Sequence, residues 1–221
     1  MQKYYPVLII AFVIIAFSSC TKEDVKPKET VVYQTDFSSN DGKWRIYEGQ
    51  GYGYFYYQGD FYVVASTSTS LYCVQSEFFG GTKQNMAIEA SVVIAKGPTH
   101  PGGNTIVTGG LIFGYKYADD NNYQYNIMSI SEKGSLSLAY FDKRTEQWTR
   151  YIDDKDIKNI IHTDIPNKLR VELRNGMLYF YVNGTEVHKM TDVTSGSLEK
   201  PGFWVNGHTI LLTNYFKVVT F

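Results

Sequence analysis

Residues 167–184, NKLRVELRNGMLYFYVNG, contain two Asn-Gly steps set among alternating apolar and polar positions. That is the sequence pattern of tight two-residue β-hairpin turns. With Asn175-Gly176 at the tip, Arg174 pairs with Met177, Leu173 with Leu178, Glu172 with Tyr179, Val171 with Phe180, Arg170 with Tyr181 and Leu169 with Val182. Side chains alternate along a strand, so Leu169, Val171, Leu173, Leu178, Phe180 and Val182 form one face, suited to a core. Arg170, Glu172, Arg174, Met177, Tyr179 and Tyr181 form the other. Asn183-Gly184 turns the chain again into Thr185–Met190, and the unit is a predicted three-strand meander.

The rest of the chain extends the same logic. It carries 19 tyrosines, 13 phenylalanines and 3 tryptophans, residue types that favour strands, and no long stretch keeps apolar residues at helical spacing. Met86 to Ala95 alternates as a strand with one buried face, and Glu89 points away from it. Leu111 to Tyr117 and Tyr123 to Ile130 flank an Asp119–Asn122 turn, Trp148 lies in an edge segment, and Gly202–Val205 and Ile210–Phe221 close the fold. Only Asp153 to His162 suggests a helix, a short one, with Ile157, Ile160 and Ile161 on one face and acids leading. Many short strands without βαβ alternation indicate an all-β two-sheet antiparallel sandwich.

The N-terminus reads differently. Lys3 precedes an apolar run, Val7 to Phe17, too short to span a bilayer, and Phe17-Ser18-Ser19-Cys20 ends it. This resembles a bacterial lipoprotein signal, which implies removal of residues 1–19 and lipidation of Cys20. Residues 20–30 are then a charged tether, and residues 31–221 one domain. The expected location is the outer membrane, on its periplasmic side or at the cell surface, since Lys22-Glu23-Asp24 resembles a surface-export signal. A net charge of −1 with no basic cluster gives a nucleic-acid partner no support. Cys73, in apolar surroundings, reads as a buried small residue rather than a nucleophile.

The order of features also resembles the concanavalin A-like jelly-roll domains, the group of laminin G-like modules, legume-type lectins and laminarinase-type glucanases. The resemblance rests on Asp36-Phe37 with Trp44, Gly59 with Tyr62, Gly110-Leu111-Ile112-Phe113 with Tyr123, the 168–184 meander, and Thr213–Val218. It implies a jelly roll whose concave sheet forms a groove where carbohydrate is often held. On that reading Arg170, Glu172, Tyr179 and Tyr181 are candidate ligand-binding residues, with Tyr54 and Tyr56 as further stacking surfaces. The alternative for the same residues is ordinary cross-strand pairing on a wet sheet face. Where such domains carry an acid for structural calcium, this chain has Thr213 and Asn214, which leaves Asp36 without that partner; no cofactor is expected, with structural calcium kept as the alternative.

Catalytic signatures are missing. Glucanases of this fold carry Glu-x-Asp-x-x-Glu on one strand, and no glutamate here has an aspartate two residues on. Glu89 and Glu172 are the mid-strand carboxylates facing away from the core. His100, His162, His188 and His208 match no metal spacing. The expected function is therefore a lipid-anchored module that binds carbohydrate or another extracellular ligand without catalysis. The alternatives are a keto-disaccharide hydrolase-like glycosidase and a structural subunit with a protein partner.

Overall fold

The computed structural model describes residues 28–49, 52–57, 60–67, 71–74, 85–97, 105–163, 165–194, 198 and 200–221. Residues 1–27, with Cys20, fall outside the described residues, as do His100 and the side chains of Tyr56 and Cys73. Among the described residues there are fifteen strands and no helix.

Two antiparallel sheets face each other. The larger runs β13 (Thr185–Thr191), β12 (Met177–Val182), β11 (Asn167–Arg174), β6 (Met86–Lys96), β15 (Thr209–Thr220), β4 (Phe61–Ser66), β3 (Tyr52–Tyr57) and β2 (Tyr47–Gly49). Its ninth strand, β1 (Thr30–Thr35), pairs with β15. The smaller sheet runs β10 (Gln147–Asp156), β9 (Ser135–Asp142), β8 (Asn122–Ser131), β7 (Thr108–Asp119), β14 (Gly202–Val205) and β5 (Leu71–Val74). Neighbours remote in sequence, such as β15 beside β6 and β14 beside β7, make this a jelly-roll sandwich.

The hairpin has the register its sequence predicts, from Leu169 opposite Val182 to Arg174 opposite Met177. Asn175 and Gly176 both take positive φ, 51° and 74°, as a hairpin turn matched to strand twist requires. The apolar face of the hairpin is fully buried and meets the other sheet: Phe180 packs edge-on against Phe113 with ring centroids 5.7 Å apart. A second aromatic knot ties the sheets together where Trp44 contacts Phe37, Tyr62, Phe203 and Phe216.

The helix expected over Asp153–His162 does not form. Its first four residues finish β10, where Lys155 and Asp156 pair with Leu136 and Ser135. The isoleucine spacing is used for one turn, with the Ile160 and Ile161 amides donating to the Ile157 carbonyl at 2.9 and 3.2 Å. Asp156 at the end of the acidic lead-in pairs across the sheet, and Ile157 anchors the turn in the core.

Candidate functional site

The polar face of the hairpin is a charge network. β11 lies between β12 and β6, so Arg170 faces Tyr181 on one side and Glu89 on the other. Its Nε donates to Glu172 at 2.7 Å, Nη1 to Glu89 at 3.3 Å and Nη2 to Glu29 at 2.7 Å. Lys217 donates to the second Glu29 oxygen at 2.8 Å, and Lys168 pairs with Glu89. The Arg170 side chain is only 13% exposed. Tyr179 is capped by the Arg174 guanidinium, 4.5 Å from its ring centroid, and Tyr181 is half-buried. Glu89 and Glu172, the two mid-strand carboxylates, thus converge on one guanidinium, and the cavity of about 350 Å³ over them is lined mainly by charges.

Burial raises the Glu29 carboxyl, but the Lys217 hydrogen bond and the charges of Arg170 and Lys217 outweigh it and hold Glu29 below the usual range. A carboxyl depressed in the folded state stabilises the fold above its unfolded pKa, and that contribution is lost as pH falls through the folded value. The cluster therefore weakens on acidification. Arg170→Ala leaves three carboxylates around a vacated cation and is expected to cost about 3–5 kcal/mol, read as a lower urea midpoint. Arg170→Ala no less stable than the native chain at neutral pH would show that the network contributes nothing.

The other candidates lie apart. Tyr54 is four strands away from β11, opposite Val64, and packs against the inter-sheet core beside Tyr47. Tyr56 pairs through its backbone with Tyr62.

A second aromatic cluster lies on the six-stranded sheet. In β8 the alternation sends Met128 and Ile130 into the inter-sheet core, while Tyr123, Tyr125 and Ile127 join a separate cluster on the outer face of the six-stranded sheet. Ile112 and Tyr115 of β7, Ala139 and Phe141 of β9 and Trp204 of β14 complete that cluster. Tyr115, Tyr123 and Tyr125 stack with centroids 6.2–6.3 Å apart. From the edge strand β10, Trp148 reaches over Phe141 at 4.8 Å and meets Trp204 edge-on at 6.1 Å. Burial, with Tyr123 and Tyr115 adding to it, pushes the Tyr125 phenol far above its ordinary range.

Beside the two tryptophans opens a cleft of about 380 Å³. Ser129, Ser137 and Ala139 line it between the outer strands. Ser129 pairs with Gly110, where a side chain has no room: a Cβ there would stand 2.0 Å from the Met128 carbonyl oxygen. At one end Asn206 is fixed, accepting from the Thr108 amide and donating to the Ile106 carbonyl, each at 2.8 Å. At the other, β10 breaks register on both sides of Ile152, which leaves Asp153 and Asp154 outside the ladder. Bulges of this kind re-aim side chains. Arg150 donates to Asp153 at 2.5 Å, and Asp154, at φ 51°, accepts from the Ser135 hydroxyl at 3.1 Å. Chemically, the cleft joins flat apolar rings to fixed hydroxyl, amide and carboxylate groups, the combination that orients small polar ligands with apolar faces.

Among the described residues no group of three or more His, Cys, Asp or Glu is placed to hold a metal. Asp36 spends one carboxylate oxygen on the amide and hydroxyl of Ser38, and Thr213 is buried with its hydroxyl on the Tyr215 carbonyl.

No protein-family model matches the chain, and no curated protein matches it. Solved structures do. A Bacillus subtilis protein of unknown function with a galectin-like fold superposes with TM-score 0.60 at 14% identity, covering 87% of this chain and 98% of that one. A carbohydrate binding module from Bacillus subtilis gives 0.50 at 17% identity, covering 86% and 94%. A Bacillus licheniformis β-glucanase gives 0.56 at 10% identity, covering 86% and 97%. At such identities the likeness is one of fold, and the fold is the concanavalin A-like jelly roll that the sequence resembles.

Proposed function

We propose that this protein is a lipid-anchored cell-envelope module that holds carbohydrate, without cleaving it, in the cleft beside Trp148 and Trp204. The carrying observation is the cleft itself, which sets the indoles of Trp148 and Trp204 beside Ser129, Ser137, Asn206 and Asp154. A pyranose or furanose ring offers an apolar C–H face to such rings and hydroxyls to such polar groups. That a carbohydrate binding module and a β-glucanase share the fold supports the reading.

Non-catalytic binding is favoured by the carboxylates. Hydrolysis needs two that flank the scissile bond. The carboxylates that line the cleft, Asp153 and Asp154, are chain neighbours on its edge strand, and Asp153 is paired with Arg150. The hairpin residues Arg170 and Glu172 take a structural role here, because Arg170 is engaged with Glu29, Glu89 and Glu172 itself.

The same network suits a tether. Lipidation of Cys20 would leave nine residues of chain to Glu29, a reach of at most about 30 Å. Glu29 is fastened to Arg170 and Lys217 on the nine-stranded sheet, whereas the cleft lies on the six-stranded one. An anchor attached through Glu29 would thus pull on the sheet that does not carry the cleft. The test is a panel of soluble glycans against the full chain in detergent. Retention of at least one glycan, lost when Trp148 is removed, is expected; a panel without any retained glycan would refute the reading.

A further inference from the structure

We infer that the cleft takes uncharged saccharides and turns away sulfated and uronic ones. This rests on the binding reading above and follows from the charges that line the site. Among its described lining residues Arg150 is the one cation, and its guanidinium is already bound to Asp153. The second carboxylate, Asp154, has no ion-pair partner among the described residues and accepts a hydrogen bond from the neutral Ser135 hydroxyl. The net lining charge is therefore negative, and the remaining polar groups are Thr108, Ser129, Ser137 and Asn206, all neutral.

The unpaired carboxylate is held in place. Asp154 sits in the left-handed backbone region at φ 51°, its amide donates to Ser137 at 3.3 Å, and the register breaks of β10 expel it from the sheet ladder. Aspartate and asparagine are among the few residues that tolerate that conformation. A carboxylate accepts strong charge-assisted hydrogen bonds from sugar hydroxyls. A sulfate or carboxylate on the sugar would instead face like charge at the exposed edge of the cleft, a repulsion that salt screens.

The test is affinity of the full chain for neutral glucans, fructans and galactans against sulfated galactans and uronans, followed by tryptophan fluorescence at about 20 and 200 mM salt. The best neutral glycan is expected to bind at least about tenfold more tightly than the best anionic one. Salt and Asp154→Asn, which keeps a residue suited to the backbone, should each narrow that ratio. An anionic glycan bound as tightly as any neutral one would overturn the inference and leave the binding reading standing. No fluorescence response to either class would overturn both.

Discussion

Trp148→Ala is expected to weaken glycan binding by about thirtyfold, or about 2 kcal/mol, the usual scale of a central aromatic contact in a binding site. The residue suits this test because it is 41% exposed on edge strand β10 and is not part of the inter-sheet core. Its ring nevertheless organises the cleft wall through Phe141, Tyr125 and Trp204. Loss of the ring removes a stacking surface and leaves Trp204 without its edge contact. The unfolding midpoint should move little, because exposed positions contribute modestly to stability. Trp204→Ala is a poorer probe, since that side chain is only 8% exposed and its removal would disturb packing as well. Calorimetric titration of native and Trp148→Ala chains checks the expectation, and equal affinities would remove the cleft from the binding account.

A stability effect as large as that of Arg170→Ala is expected at the third tryptophan. Trp44 is 2% exposed, with ring centroids 5.1–5.4 Å from Phe37, Tyr62, Phe203 and Phe216. Phe203 belongs to the six-stranded sheet and Phe216 to the nine-stranded one, so this indole joins the two layers. Its Nε1 also donates to the Tyr33 hydroxyl at 3.1 Å, which donates in turn to Asp41 at 2.7 Å. Trp44→Ala should cost about 3–5 kcal/mol, the range for deleting a buried aromatic, against a total stability of about 5–15 kcal/mol for a domain. Trp44→Phe keeps a ring and loses mainly the hydrogen bond, so about 1–2 kcal/mol is expected. Urea unfolding monitored by far-UV circular dichroism measures both, and similar midpoints for the two variants would show that the knot is not the principal inter-sheet contact.

The sequence made the sandwich readable because its strongest signals were local. Asn175-Gly176 and Asn183-Gly184 pin the meander, and every pairing expected for the hairpin is present. The surroundings of the polar hairpin face were not local. Glu89 is 81 positions from Arg170, and alternation alone marked both as solvent-facing; pairing of β6 with β11 instead places them side by side and buries them. The cleft was hidden for a related reason. In β8 both faces carry apolar or aromatic residues, so periodicity cannot say which one meets the opposing sheet. The available signal was the alternation Tyr123-x-Tyr125-x-Ile127 on one face, with Met128 and Ile130 on the other, followed by tryptophans in two further strands. The run after Asp153 misled because isoleucines at helical spacing also suit a single turn at a strand end.

The chain's three tryptophans allow one measurement to address the central claim. Two line the cleft and one is buried in the inter-sheet knot. With all nitrogens of the chain isotopically labelled, titration of the retained glycan should shift the Trp148 and Trp204 indole resonances together and leave that of Trp44 in place. Binding that moved neither cleft indole, while resonances of Arg170 or Tyr181 responded, would place the ligand on the nine-stranded sheet and contradict the account.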